Sequence, residues 1–139
     1  SVTFVENHDS EECKQGYYLL AFPDGDKTLE GYAYILTHPG TPTVFWKDIY
    51  DSGSEAENKI RELIWIRKNY GIHSESRIYI AKAEANSGYA AYIQGDNGEV
   101  AVKIGPDDWT PYGDKWHPSE DLLTSGHNYA VWGEDGRWW

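Results

Sequence analysis

The feature that most constrains the fold is a short apolar run at the start of the chain that breaks off into polar residues. Residues 2–5 are mainly β-branched or aromatic, and Asn7, His8 and Asp9 follow them directly. This pattern is typical of a buried parallel strand that delivers polar side chains at its carboxyl end. A second apolar run at residues 43–46 predicts the next strand. We therefore expect two βα units, with Asn7, His8 and Asp9 at the open end of an α/β barrel.

Two helices are predicted, one after each strand. The first begins near Asp26 and buries one face, whose apolar residues recur at helical spacing: Leu29, Tyr32, Ala33 and Leu36. The second begins with a capping box, in which Ser54 caps the helix and Glu57 reaches back to it. Its inward residues are Ile60, Leu63 and Ile64. Its charged residues are predicted to form a solvated face: Glu55, Glu57, Arg61 and Arg67.

From residue 74 onward the helical period disappears, and short β runs alternate with turn signals. Strands are predicted over residues 77–83, 89–94, 99–104 and 129–132, with hairpin turns at 95–98 and 133–136. The fold class is therefore α/β. Residues 1–73 are expected to form part of a (β/α)8 TIM barrel, with two βα units. Residues 74–139 are expected to form a small antiparallel β-sheet domain of about five strands.

Charge and composition narrow the class of ligand. The chain carries 23 acidic and 12 basic residues, for a net charge of −11. This charge excludes nucleic acid and anionic membrane surfaces as partners, because both require clustered Lys and Arg. Seven Trp and eleven Tyr provide flat rings. Rings of this kind suit sugars, which are polar at the edge and apolar on the face, so a neutral carbohydrate ligand is expected.

The sequence shows no motif for a zinc site, a phosphate-binding loop or an internal disulfide. Cys13 is the single cysteine, so no internal disulfide is expected, and the five His residues lack zinc-like spacing. No glycine-rich phosphate loop is present. No uninterrupted apolar run is long enough to span a bilayer. The compartment is left open by these observations.

The first 70 residues also predict a partner. Two βα units cannot close a barrel, and strands that are buried on both faces would expose apolar edges and faces if they were left alone. We therefore expect the rest of a barrel to pack against them, supplied as a second chain or by another copy of this one.

Several segments carry a resemblance in the same order and spacing. The run Phe4-Val5-Glu6-Asn7-His8-Asp9 is similar to the pattern Phe-Val-Asp-Asn-His-Asp, with Glu6 where Asp is usual. Residues 31–40, GYAYILTHPG, resemble a helix that precedes a last barrel strand. Residues 102–106, VKIGP, and 126–132, GHNYAVW, agree as well. Together these segments resemble the family 13 glycoside hydrolases of plant α-amylase type, from the seventh barrel strand to the C-terminal β-domain.

The resemblance implies roles for four residues. Asp9 would be the carboxylate that stabilises the transition state, and His8 would donate a hydrogen bond to a hydroxyl of the same sugar. Asn7 would contact substrate or brace the loop. Tyr89 matches a tyrosine that forms a surface starch site in some plant amylases. From the residues alone, two alternatives stay open: an ordinary strand-end turn at residues 7–9, and packing of the Tyr89 ring against Tyr92 or a neighbour.

The resemblance further implies retaining endo-hydrolysis of α-1,4-glucosidic bonds in starch or maltooligosaccharides. The family's nucleophile and general acid lie on earlier strands, so this chain is expected to act only with the missing N-terminal barrel portion. Calcium is expected from the family, with ligands outside this chain. The alternative functions are a non-catalytic glucan-binding or interaction module, which rests on the aromatic sheet alone, and a catalytically dead relic.

Overall fold

The computed structural model describes residues 2–4, 25–44 and 53–135. The strands are β1 (Val2–Phe4), β2 (Thr41–Thr43), β3 (Arg77–Glu84), β4 (Gly88–Gly95), β5 (Gly98–Ile104), β6 (Leu122–Gly126) and β7 (Tyr129–Glu134). The helices are α1 (Gly25–Thr37), α2 (Gly53–Tyr70) and α3 (Pro118–Asp121). No helix within the described ranges is long and apolar enough to cross a membrane.

The first two strands form a parallel pair joined through α1. Val2 lies opposite Thr41, and Phe4 lies opposite Thr43. A strand, a helix and a parallel strand make up the repeating unit that the sequence predicted. The predicted second strand, residues 43–46, overlaps β2 at Thr43: β2 spans Thr41–Thr43 and Val44 lies outside the ladder. Residues 45–46 lie outside the described residues. A run of apolar residues predicts a segment that is buried. The residues that form the backbone hydrogen bonds of the ladder can lie a few positions away from it. A pair of strands does not establish a barrel, so the barrel remains a prediction.

The other five strands form one antiparallel sheet in the order β3-β4-β5-β7-β6, which confirms the predicted five-stranded sheet. The hairpin at residues 95–98 is also confirmed, because Gly95 and Gly98 pair across a two-residue turn. The turn predicted at 133–136 is wrong at its start. Gly133 and Glu134 belong to β7 and pair with β5. Among the described residues, a turn lies instead between β6 and β7, where Asn128 has a φ of 61°, and residue 136 lies outside the described residues.

Both long helices pack on one face of this sheet, which we call the inner face. The core contains Tyr32, Ala33, Leu36, Ile60 and Leu63 from the predicted helix faces. Leu29 and Ile64 pack against it and are partly buried. The sheet contributes residues that alternate along its central strands: Ala91, Ile93, Val100, Val102, Tyr129 and Val131. One continuous core therefore includes residues on both sides of position 73, and the domain division at that position remains a prediction.

The helix that the capping-box pattern predicted is α2. The helix begins at Gly53, one residue before Ser54. The Glu57 carboxylate accepts a hydrogen bond from Nε of Arg61 at 3.0 Å, one helical turn further on. Glu57 is thus paired with Arg61 along the helix, an arrangement that opposite charges at i, i+4 favour, and the capping box at Ser54 remains a prediction.

Candidate functional site

The predicted catalytic tip follows β1 in the sequence. The structure describes this strand as far as Phe4, with its backbone paired to β2. Asn7, His8 and Asp9 lie outside the described residues, so their predicted roles remain predictions. The described part supplies the strand that precedes them and its parallel neighbour.

Tyr89, the fourth predicted site residue, lies on β4 and faces the helices. Its hydroxyl is 2.7 Å from Nε2 of His38, which follows α1. Its ring also lies 5.6 Å from the ring of Tyr34, centroid to centroid. Tyr92 lies three positions further along the same strand and therefore on the opposite face, where it packs in a different cluster. The ring neighbours of Tyr89 are thus Tyr34 and His38. Of the packing alternative, the pairing with Tyr92 is wrong, and packing against other neighbours is what the structure shows.

A chain of hydrogen bonds links this tyrosine to the last turn of α1. The Thr37 hydroxyl donates to the carbonyl of Ala33 at 2.7 Å, and Nδ1 of His38 lies 3.0 Å from the same hydroxyl oxygen. Since the threonine proton is already used, Nδ1–H of His38 donates to Thr37, which leaves Nε2 as the acceptor for the Tyr89 hydroxyl. Burial lowers the pKa of His38 to about 4, which agrees with a neutral imidazole. Burial also raises the pKa of Tyr89, so its phenol stays protonated.

Arg67 holds the same end of α1 from the side of α2. Its guanidinium donates to the carbonyls of Ile35, Leu36, His38 and Gly40, at 3.3, 3.2, 2.7 and 2.6 Å. Ile35 and Leu36 lie in the last turn of α1, where carbonyls lack intrahelical partners, and His38 and Gly40 lie just beyond the helix. The prediction that Arg67 belongs to a solvated helix face is therefore wrong. The residue is half-buried, because its planar fork satisfies a polar helix end that would otherwise be buried without donors.

A shallow, open depression lies beside Tyr89. It is lined by the β3–β4 turn at residues 83–88 and by Ile104, Gly105, Pro106 and Asn128. The Tyr89 hydroxyl proton is committed to His38, so a ligand in this depression would meet the ring and the phenol oxygen. Contact between Tyr89 and substrate remains a prediction.

The opposite face of the sheet, the outer face, carries a second aromatic cluster. Trp116 and Trp132 are buried in it, and Tyr92 and Trp109 are partly buried. Tyr79 and Tyr112 lie at its margin and are 68% and 80% exposed. No motif in the sequence singled out these two tyrosines. The signal that could have found Tyr79 was its strand position, which places it on the same face as Tyr92.

The described residues offer no obvious place for a metal ion. Within residues 2–4, 25–44 and 53–135, no three His, Cys, Asp or Glu side chains are grouped so that they could hold one. Calcium ligands outside this chain remain a prediction.

Comparison with known proteins gives consistent matches. Residues 69–133 match the family described as the alpha-amylase C-terminal beta-sheet domain. These residues run from the end of α2 to the end of β7, and thus include the whole antiparallel sheet.

Curated relatives extend the match toward the start of the chain. A probable alpha-amylase 2 of Arabidopsis thaliana is 43% identical over 132 residues, which are 95% of this chain and 29% of that protein. An alpha-amylase type B isozyme of Hordeum vulgare is 37% identical over 132 residues, which are 95% of this chain and 78% of that sequence. A glucan 1,4-alpha-maltotetraohydrolase of Roseateles saccharophilus is 37% identical over 110 residues. The chain thus spans less than a third of the Arabidopsis protein but most of the barley sequence, and it belongs to the α-amylase family, corresponding to its C-terminal part.

Proposed function

We propose that this chain completes the active site of an α-amylase that hydrolyses α-1,4-glucosidic bonds internally and with retention of configuration. The observation that carries the proposal is the parallel pairing of β1 with β2, since β1 leads in the sequence to Asn7, His8 and Asp9. The sequence relationship to named alpha-amylases covers 95% of the chain and supports it further.

Asp9 has a role that follows from the chemistry of the reaction. Retaining hydrolysis uses a nucleophilic carboxylate and a carboxylic acid, and the transition state carries positive charge on the sugar ring. A further carboxylate fixed beside that ring favours the charge electrostatically. In the proposal Asp9 is this third carboxylate. His8 donates a hydrogen bond to a hydroxyl of the same sugar, and Asn7 contacts the substrate or braces the loop.

The nucleophile and the general acid come from the N-terminal barrel portion, so the chain acts only in combination with it. Two structural features support such a partner. Parallel strands are found almost only in sheets that are covered on both faces. Large apolar side chains are also exposed along α2 and β3: Trp65 is 54% exposed, Ile78 41% and Ile80 52%. A barrel portion supplied as a second chain or by another copy would cover apolar surface of this kind.

The test is a hydrolysis assay on the chain combined with a complementary N-terminal barrel portion, with maltoheptaose as substrate. Asp9→Asn keeps the size of the side chain but removes its charge. We expect it to lower kcat by about 100-fold or more, as the loss of one positioned electrostatic group does in other active sites. Glu75→Gln is the matched control, because Glu75 is an exposed carboxylate in the segment between α2 and β3. It should leave kcat unchanged.

Two outcomes would contradict the proposal. Activity of the Asp9→Asn assembly equal to that of the unmodified assembly would remove the role of Asp9. Hydrolysis by this chain without any barrel portion would remove the requirement for a partner. Equal binding of the two variants to the barrel portion, measured by size-exclusion chromatography, shows that a loss of kcat is not a loss of assembly.

The alternative function is a glucan-binding or interaction module without catalysis. The observation that favours it is the aromatic cluster on the outer face of the sheet, with Tyr79 and Tyr112 exposed at its margin. An assembly that binds maltoheptaose, fails to hydrolyse it and is unaffected by Asp9→Asn would favour this function over the first.

A further inference from the structure

We propose that the outer face of the five-stranded sheet carries a second binding surface for α-glucan chains, separate from the Asp9 tip and from Tyr89. We call it the outer glucan surface and define it as Arg77, Tyr79, Tyr92, Gln94, Trp109 and Tyr112. The choice of α-glucan as ligand rests on the proposed function.

The aromatic part of the surface is continuous across three segments of the chain. Tyr79 on β3 and Tyr92 on β4 are directly paired, with ring centroids 6.2 Å apart. The ring of Tyr92 meets that of Trp109 edge-on at 5.6 Å. The Tyr92 hydroxyl accepts a hydrogen bond from the backbone N–H of Tyr112 at 3.3 Å, which places Tyr112 beside the pair. The rings of Tyr92 and Trp109 are partly buried in the cluster, whereas those of Tyr79 and Tyr112 are exposed. Flat apolar surface therefore faces solvent.

A polar pair lies next to the aromatic pair on the same face. Arg77 pairs with Gln94, two residues along β3 and β4 from the pairing of Tyr79 with Tyr92. Both side chains are exposed, and within the described part of the chain no hydrogen bond or ion pair joins either of them to another residue. Their planar guanidinium and amide groups can bond to sugar hydroxyls. A neighbouring apolar plane and planar polar groups match the faces and edges of a sugar ring.

The segment that supplies Trp109 and Tyr112 is held firmly against the sheet. The ammonium of Lys115 contacts the carboxylates of Glu99 at 2.5 Å and Glu134 at 3.7 Å. Lys103 donates to the carbonyl of Asp107 at 3.1 Å, and Lys82 pairs with the Asp107 carboxylate at 3.0 Å. These contacts fix both ends of the segment. Less conformational freedom is therefore lost on binding than for a mobile loop.

Charge selects the class of ligand. The chain has a net charge of −11, which disfavours polyanions such as nucleic acids or sulfated polysaccharides. A neutral polymer avoids this repulsion. A surface that holds one part of a polymeric glucan raises the effective concentration of the rest at a second site. That benefit applies to an enzyme of polymer hydrolysis, which is the proposed function of the assembled protein.

The experiment is a calorimetric titration of the full 139-residue chain with maltoheptaose. The chain is expected to bind it. The double variant Tyr79→Ala/Tyr112→Ala should raise the Kd about tenfold or more. Loss of one stacked aromatic ring raises Kd several-fold, and this variant loses two. Both side chains are largely exposed, so the variant should fold, and an unchanged urea midpoint verifies this. Trp65→Ala is the matched control, since Trp65 is an exposed aromatic residue on α2. It should leave Kd within a factor of about two.

Two results would overturn the outer glucan surface. One is the absence of binding by the unmodified chain at millimolar maltoheptaose. The other is equal binding by the unmodified chain and the double variant, because the variant keeps every inner-face residue. The titration needs no catalysis, so it is independent of the Asp9→Asn assay. If the double variant loses maltoheptaose binding and Asp9→Asn leaves kcat unchanged, the proposed function is refuted and the surface is supported. If the double variant binds equally and Asp9→Asn lowers kcat, the surface is refuted and the proposed function is supported.

Discussion

Replacement of Arg67 by Met tests the argument that one guanidinium holds the end of α1 to α2. The substitution keeps most of the aliphatic stem and removes the donors to Ile35, Leu36, His38 and Gly40. Two of these bonds are short, at 2.7 and 2.6 Å, and two are long, at 3.2 and 3.3 Å.

The expected cost can be worked out from the short bonds. A hydrogen bond to a charged group contributes about 1.5–3 kcal/mol to stability. We count only the two short bonds, at the lower figure because Arg67 is half-buried, and obtain a loss of about 3 kcal/mol in the free energy of unfolding. This is a large share of the roughly 5–15 kcal/mol that stabilises a typical domain. With a urea m-value of about 2 kcal/mol per molar, the midpoint should fall by roughly 1.5 M.

The assay is urea unfolding followed by far-UV circular dichroism, with Arg61→Met as the matched control. Arg61 lies on the same helix and pairs with Glu57, with both side chains partly exposed. An exposed i, i+4 pair contributes only about 0.3–0.5 kcal/mol, so the control should move the midpoint very little. The urea midpoint of Arg67→Lys should lie between those of Arg67→Met and Arg61→Met, since one ammonium cannot reach four carbonyls. If Arg67→Met and Arg61→Met lowered the urea midpoint equally, the hydrogen bonds from Arg67 to the end of α1 would not stabilise the fold, and the reasoning would be refuted.

Two further predictions concern the buried histidine and a close approach in the sheet. The pKa of His38 is about 4 in the folded chain against 6.5 as the ordinary value, so the unfolded chain binds the proton first as pH falls. The free energy of unfolding should therefore drop by about 3 kcal/mol between pH 6.5 and 4. Urea unfolding at several pH values should show a smaller drop for His38→Gln. Equal drops for the two proteins would contradict this. Gly95→Ala should lower stability by about 2–3 kcal/mol, because its Cβ would collide with the backbone carbonyl of Tyr70. Gly88→Ala, at the other end of β4, meets only ordinary contacts and should unfold at nearly the wild-type temperature, so equal melting temperatures for the two variants would contradict the collision.

Local chemistry made much of the fold predictable. The i, i+3, i+4 spacing of apolar residues identified the buried faces of both helices, and Tyr32, Leu36, Ile60 and Leu63 do lie in the core. The turn residues at 95–98 identified a hairpin that the structure confirms. Strand β6 was missed because its sequence, Leu-Leu-Thr-Ser-Gly, lacks alternation. Its pairing comes from β7, a neighbour that a local pattern does not contain.

The candidate sites show the same division. Ordered segments of sequence pointed to the α-amylase family, and the comparisons confirm that assignment. The environment of Tyr89 could not be predicted in this way, because His38 is 51 positions away in the chain. Arg67 was misjudged for a related reason. Its spacing on α2 resembles that of a surface charge, and only the approach of the end of α1 supplies the carbonyls that it binds.

The sequence by itself determined the alternation of strands and helices, the acidic and aromatic character of the chain, and its family. The alternation follows from residue types at short spacing, the character from composition, and the family from segments in a fixed order along the chain. Only the tertiary structure decided that α1 and α2 share one core with the sheet, that Arg67 closes a helix end, and that Tyr79, Tyr92 and Tyr112 meet on the outer face. The physical reason is that burial, hydrogen-bond partners and ring contacts depend on which distant segments come together. That choice minimises the free energy of the whole chain rather than of any one window of it.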